Sequence, residues 1–161
     1  VMKDYIPYLR GLIGHAPAQA VGLTALIVDE DGAILFEKRS DNGQYCLPGG
    51  SLNYEEKILD GLRREVKEET GVLLREIHLF AITSGEKTTL HYPNGDITNY
   101  VSLTFYCPIK KDDVHLVASD GESTSLFFAL PKDFPPKKEW LNNTETILEK
   151  FERGDFGVTI D

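Results

Sequence analysis

The sequence predicts an α/β fold in which a mixed β-sheet lies between helices, and three observations carry this prediction. Strand-like apolar runs begin at 20–28 and 33–39 and recur along the chain. A segment with helical spacing of apolar residues, 58–70, interrupts them. Helical patterns also occur near both ends, at about 3–14 and about 143–153. Alternating strands and helices are typical of a sheet covered by helices.

Turn signals divide the remaining apolar runs into strands. "DEDG" separates the first two runs and predicts a hairpin, and "YPNGD" at 92–96 predicts a tight turn. The other predicted strands are 72–84, 87–92, 98–107, 114–118 and 124–130. No internal repeat interrupts this order, so we expect residues 1–161 to form one domain with a helix added at each end.

The composition excludes some classes of function. The net charge of -9 argues against a broad nucleic-acid or anionic-membrane surface, although not against a small anionic ligand held through a metal ion. Cys46 and Cys107 belong to no multi-cysteine motif, which favours reduced thiols. No apolar run approaches the roughly 20 residues of a membrane span, and "VMKDYIPYLRG" does not resemble a signal peptide. We therefore expect a soluble, cytoplasmic protein.

Acidic residues are concentrated in the helix predicted at 58–70. Glu65, Glu68 and Glu69 are spaced i, i+3 and i+4, so their side chains project to neighbouring positions. If Leu62 marks the centre of the apolar face, Glu69 lies almost within that face and Glu65 just beside it. Burying an unpaired carboxylate costs several kcal/mol. A hard divalent cation such as Mg2+ removes this cost, because it prefers oxygen ligands.

The loop before this helix contains the features that a cation site requires. Pro48 introduces a rigid bend, and Gly49 and Gly50 allow the backbone to approach a metal or a phosphate. The alternative is a solvated helix with i, i+4 ion pairs, such as Asp60–Arg64. The glycine loop and the position of the last glutamate favour the cation site.

The stretch from the glycine loop through the helix resembles the Nudix box, G-x5-E-x7-R-E-U-x-E-E-x-G-U with U aliphatic. Every defined position is matched, by Gly50, Glu56, Arg64, Glu65, Val66, Glu68, Glu69, Gly71 and Val72. The resemblance implies an α/β/α sandwich with a mixed sheet. It also implies a pyrophosphohydrolase that uses Mg2+, or Mn2+, to hydrolyse a nucleoside diphosphate linked to a second group.

The resemblance also implies roles for individual residues. The metal ligands would be Glu65, Glu68 and Glu69, with the carbonyl oxygen of Gly49 as a further ligand. Either Glu65 or Glu69 could instead orient or deprotonate the attacking water. Arg64 would orient the carboxylates through a charge-assisted hydrogen bond.

Some positions in the box allow two interpretations or depart from the common pattern. Glu56 either belongs to the site or pairs with Asn53 in a variant of the helix capping box. Glu55 and Lys57 replace residues that are common in the family, which suggests a different helix entry. Gly61 costs about 1 kcal/mol relative to alanine in a helix, and close packing of backbone near the metal would explain it.

The resemblance suggests a second set of residues on the substrate side. Arg39 would reach the phosphates, or else is an exposed charge at a strand end. Tyr45 would stack on a base, or else packs in the core. Gly50 would approach the substrate through its backbone. A late loop would supply one more acidic ligand, and we favour Glu122 over Asp120.

The sequence leaves the substrate open, because the markers of several Nudix subfamilies are absent. The candidates are a nucleotide sugar, ADP-ribose or a nucleoside triphosphate. Two other classes of function are weighed against hydrolysis: a non-catalytic Nudix-like regulatory module, and a structural domain with a solvated acidic helix. The terminal helices could also build a homodimer interface.

Overall fold

The structure is a computed structural model that describes residues 4–117 and 123–161. It contains three α-helices, α1 (Tyr5–Ile13), α2 (Ile58–Thr70) and α3 (Thr144–Glu152). Its strands are β1 (Ala18–Val28), β2 (Ile34–Arg39), β3 (Tyr45–Cys46), β4 (Gly49–Ser51), β5 (His78–Thr83), β6 (Thr89–His91), β7 (Ile97–Pro108), β8 (Ser123–Ala129) and β9 (Thr159–Ile160).

The strands of the described residues form one mixed sheet. Its central order is β3-β2-β1-β7-β5-β9, and β4, β6 and β8 pair with β1, β7 and β2 respectively. The β1–β7 and β5–β9 pairs are parallel, and the others are antiparallel. The long parallel pairing of β1 with β7, from Ala18↔Thr98 to Val28↔Pro108, forms the centre of the sheet.

The alternation of side chains along β1 produces two separate cores. Leu23, Ala25 and Ile27 pack on one face against Leu62 and Val66 of α2. On the other face, residues 26 and 28 of β1 pack with residues 147 and 148 of α3. The sheet therefore lies between helices, and the predicted α/β/α sandwich is confirmed.

The sheet divides beside α2. The register of β1 with β2 is limited to Val28↔Ile34, and β1 then pairs with β4 from Gly22 to Thr24. Strand β2 pairs instead with β3 and β8. The loop between β3 and β4 crosses this division, where the Ala25 N–H donates to the Pro48 carbonyl at 2.8 Å. A cavity forms at this point, as described below.

Most predicted elements agree with the structure. Helix α2 has the predicted bounds, and the "DEDG" and "YPNGD" turns connect antiparallel strands. The two terminal helices lie within their predicted ranges. Helix α1 is attached to the sheet by Arg10, which donates to the Ile97 carbonyl at 2.7 Å and to Thr98 Oγ1 at 2.8 Å.

Two predicted strand segments are wrong. Residues 72–77 form no strand, because Gly71 ends α2 in the left-handed conformation and the chain then packs Val72 and Leu74 beneath the sheet. Residues 114–117 form no strand either. They pass the end of α2, where the Val117 N–H donates to the Thr70 carbonyl at 2.8 Å. An apolar pattern of period two does not distinguish this packing from strand pairing.

We predict that Gly71→Ala destabilises the fold more than the matched control Gly32→Ala. Both glycines have a positive φ, +80° and +83°, so both substitutions carry a cost of about 1–2 kcal/mol. A Cβ at residue 71 would also lie 3.0 Å from the His115 carbonyl oxygen, whereas one at residue 32 would meet open space. Urea unfolding should show an additional loss of about 1 kcal/mol for Gly71→Ala. Equal losses would contradict this account of the segment after α2.

Candidate functional site

A cavity opens where β1 and β2 separate. One side consists of β1 and the loop leading into β4, and Glu37 and Arg39 of β2 form another. The remaining lining comes from the β6 and β7 region and from the start of α3, including Thr88, Leu90, Tyr92, Tyr100, Ser102, Leu141, Asn142, Asn143, Thr144 and Ile147. The cavity therefore extends from the glycine loop beside α2 to the start of α3.

The glycine loop makes direct contact with α2. The Gly49 N–H donates to Glu69 Oε2 at 3.1 Å. A Cβ at residue 49 would overlap the Leu23 carbonyl oxygen, and a Cβ at residue 50 would overlap the Glu65 carboxyl group. Residue 49 therefore accepts only glycine, because a Cβ would meet the backbone of β1, whereas a Cβ at residue 50 would require the Glu65 side chain to move away from the loop.

Glu69 is buried together with a second carboxyl group. Glu69 is 3% exposed and Glu37 of β2 is 5% exposed. Burial raises the pKa of Glu69 well above its usual value, and the neighbouring Glu37 raises it further. Glu37 also accepts a hydrogen bond from the Cys46 thiol, with 3.3 Å between Sγ and Oε1. Because two buried carboxylates in contact repel each other, this pair favours either a bound proton or a cation.

Arg64 connects the acidic residues of the box. Its Nε lies 2.7 Å from Glu56 Oε2, and its Nη1 lies 2.8 Å from Glu65 Oε1. Glu68 is more distant, with 3.5 Å between its Oε2 and Arg64 Nη1, and its side chain is 56% exposed. The guanidinium also donates to the Ser51 carbonyl at 3.1 Å, which ties α2 to β4. The contacts are those expected of a residue that orients carboxylates.

Glu56 contacts Asn53, as the sequence suggested, and also Arg64, but it does not form a helix capping box. It accepts the Asn53 N–H at 3.1 Å, and the guanidinium of Arg64 lowers its pKa. However, α2 begins at Ile58 with Lys57 as its N-cap, so Asn53 is not at the helix start. The capping-box interpretation is therefore wrong.

The close packing suggested for Gly61 is present, and its neighbours are side chains. A Cβ added to Gly61 would lie 2.7 Å from Glu56 Oε1 and 2.9 Å from a methyl group of Leu23 and of Leu52. The close packing there involves side chains rather than the backbone of the glycine loop. A larger residue at position 61 would have to displace these side chains, because α2 packs there directly against Leu23 of the sheet.

The acidic residues fit a hard divalent cation by their chemistry and by their setting. Glu65 lies against Gly50, and Glu69 is held by Gly49, so two carboxyl groups meet at the same loop. Residues 4–117 and 123–161 contain no ready-made group of three or more histidine, cysteine, aspartate or glutamate side chains with metal-binding geometry. Glu122 and Asp120, the predicted additional ligands, lie outside the described residues.

Arg39 and Tyr45 have different surroundings. Arg39 lines the cavity, holds Asp41 through two hydrogen bonds of 2.9 and 2.7 Å, and lies over the Tyr92 ring. Tyr45 packs against Phe127 with 5.8 Å between ring centres and is absent from the described lining of the cavity. Its position agrees with core packing, the alternative to base stacking.

Sequence reasoning missed Glu37. The signal that could have found it is the alternation along β2, which places Leu35, Glu37 and Arg39 on the same face of the sheet. A glutamate between a core leucine and a cavity arginine on that face is unusual. Its neighbours Cys46 and Glu69 come from other elements, and only the fold brings them together.

Comparison with known proteins gives a consistent result. Residues 18–151 match the NUDIX domain family. A MutT-like protein of Streptomyces ambofaciens is 32% identical over 117 residues, which cover 73% of this chain and 68% of the relative. An ADP-ribose pyrophosphatase of Methanocaldococcus jannaschii is 30% identical over 132 residues, or 80% and 68% of the two chains. These names agree with the predicted enzyme class, a Nudix pyrophosphohydrolase.

Solved structures support the fold. The MutT protein of Methanosarcina mazei Go1 superimposes with a TM-score of 0.70 at 22% identity, covering 88% of this chain and 99% of that one. The NUDIX domain of Shewanella oneidensis NrtR, solved with ADP ribose, has a TM-score of 0.68 at 16% identity and covers 94% and 99%. The family match, the fold and the complete box lead to one conclusion: the chain belongs to the Nudix hydrolase family.

Proposed function

We propose that this protein hydrolyses a diphosphate bond in a small nucleotide derivative and that it requires Mg2+ or Mn2+. The observation that carries the proposal is the meeting of Glu65 and Glu69 with Gly50 and Gly49 at one end of the cavity. Oxygen ligands grouped beside an open cavity suit a hard cation that must also contact a phosphate.

The exposure of the acidic residues suggests which role each of them has. Glu69, Glu68 and Glu65 would hold the cation together with the Gly49 carbonyl, and the cation would neutralise the diphosphate and lower the pKa of water. Glu65 is partly exposed and Glu69 is buried, so water reaches Glu65 more easily. We therefore propose that Glu65 orients the attacking water in addition to contacting the cation, and that Arg64 holds Glu65 in place.

The substrate class follows from the cavity and from the relatives. Arg39 lies on the cavity wall, where its guanidinium can bind phosphate oxygens in a bidentate manner. One relative is named an ADP-ribose pyrophosphatase, and another, of Escherichia coli, is named nucleoside triphosphatase NudI. We propose a nucleoside diphosphate sugar, ADP-ribose or a nucleoside triphosphate as the substrate. A screen of these compounds with Mg2+, scored by the products formed, tests this proposal.

A non-catalytic regulatory module is the alternative within the same family. The box retains Glu65, Glu68 and Glu69, as well as the arginine that contacts them. This complete set favours hydrolysis. Tight nucleotide binding without any product in the presence of Mg2+ or Mn2+ would favour the module instead.

The cellular location and the partners of the protein are a separate proposal. No helix among the described residues is long and apolar enough to cross a bilayer. The net charge of -9 argues against a nucleic-acid partner. We propose a cytoplasmic protein that acts on small nucleotides, with a homodimer as a possible assembly, and sedimentation analysis would measure its oligomeric state.

We predict that Glu69→Gln lowers kcat by about 10²- to 10⁴-fold with the best substrate of the screen. The amide oxygen can still accept the Gly49 N–H, so the melting temperature should stay close to that of the wild type. Glu149→Gln, at an exposed position of α3, is the matched control and should leave kcat unchanged. Full activity of Glu69→Gln with Mg2+ would refute the assignment.

We also predict that cation binding releases a proton. The raised pKa of Glu69 means that the carboxyl keeps its proton at a pH above the usual 4.5. Because a ligating carboxylate is ionised, Mg2+ affinity should fall as the pH is lowered through the raised pKa of Glu69, and this fall should begin above the usual range of a glutamate. Calorimetry in two buffers with different ionisation enthalpies measures the proton release. Glu69→Gln should release fewer protons, and an equal release would contradict this origin.

A further inference from the structure

Strand β2 contributes a carboxyl group to the cation site region from outside the Nudix box. Glu37 is opposite Cys46 in the β2–β3 pair, and its side chain contacts Glu69 across the sheet face that α2 covers. Both glutamates are more than nine-tenths buried. The contact between the two side chains is therefore largely shielded from water. A hydrogen bond in such an environment fixes the geometry of its partners more strongly than one at the surface.

A chain of contacts leads from β3 to the glycine loop through these residues. The Cys46 thiol donates to Glu37, Glu37 contacts the carboxyl of Glu69, and Glu69 accepts the Gly49 N–H. Glu69 is thus held from two sides, by the loop and by β2. Carboxylates that bind metals are commonly oriented by such hydrogen bonds, and removing the partner typically lowers metal affinity by about 10- to 100-fold.

We propose that Glu37 is a positioning residue for Glu69, which it holds in the orientation that receives the cation. Glu37 acts through the reach of its side chain and its hydrogen bond, not through its negative charge. The inference rests on the proposed function only in taking Glu69 as a cation ligand. It adds to the site a residue of β2 that no part of the box contains.

Three substitutions of Glu37 distinguish the effect of its side-chain length from the effect of its charge. Glu37→Gln removes the charge but keeps the length, and its amide can donate to Glu69 while its carbonyl accepts from Cys46. Glu37→Asp keeps the charge but is one methylene too short to maintain both contacts. Glu37→Leu removes both properties at similar volume, and loss of a buried carboxyl that faces another carboxyl should leave the melting temperature unchanged or higher.

The test is a titration of the full chain with Mn2+, followed by electron paramagnetic resonance or calorimetry, together with thermal unfolding. We expect the affinity of Glu37→Gln to stay within about threefold of the wild type. Glu37→Asp and Glu37→Leu should each lose about 10- to 100-fold. A lower Mn2+ affinity without a lower melting temperature is a signature that a merely structural residue would not give. If Glu37→Leu does not fold, the Gln and Asp variants decide the question.

The results that overturn the proposal are distinct from those that overturn the function. Wild-type affinity in both Glu37→Asp and Glu37→Leu, or a loss in Glu37→Gln as large as in Glu37→Asp, would refute the positioning role. Glu69→Gln in the same titration tests the cation site itself, and Glu149→Gln is the surface control. Wild-type affinity of Glu69→Gln would refute the proposed site, whereas a loss there with no effect at Glu37 would refute only this inference.

Discussion

The contact between the glycine loop and α2 is the constraint on which the rest of the structure depends. Gly49 passes so close to β1 that a Cβ would overlap the Leu23 carbonyl. At Gly50, the Glu65 carboxyl group occupies the space that a Cβ would need. The Gly49 N–H then reaches Glu69 inside the protein. Burial of that carboxyl is costly without a counterion. The fold therefore holds a destabilised acidic group in place, which suits a site that gains its stability from a bound cation.

The division of the sheet gives this contact its position. Because β1 exchanges β2 for β4 as its partner, the loop before β4 can enter the sheet and lie beneath α2. The same exchange opens the cavity between β1 and β2, so the acidic residues and the cavity share one origin. Arg39 at the end of β2 and the start of α3 complete the wall of this cavity. The cavity wall and the acidic residues therefore come from different elements.

Much of the site could be predicted because it lies within one helix and one loop. Helical periodicity alone places Glu69 in the apolar face of α2, and it is 3% exposed. Residues whose role depends on distant partners could not be found in this way. Glu37 becomes part of the site only through contacts with two other elements. Likewise, the environment of Tyr45 depends on β8, and the course of residues 114–117 depends on a hydrogen bond to the end of α2.

A crystal structure of the full chain soaked in Mn2+, with an anomalous difference map, tests the central claim most directly. We expect a peak beside the glycine loop, at about 2.0–2.3 Å from oxygens of Glu65, Glu68 and Glu69 and from the Gly49 carbonyl. A peak elsewhere on the protein, or no peak at a Mn2+ concentration that supports hydrolysis, would contradict it.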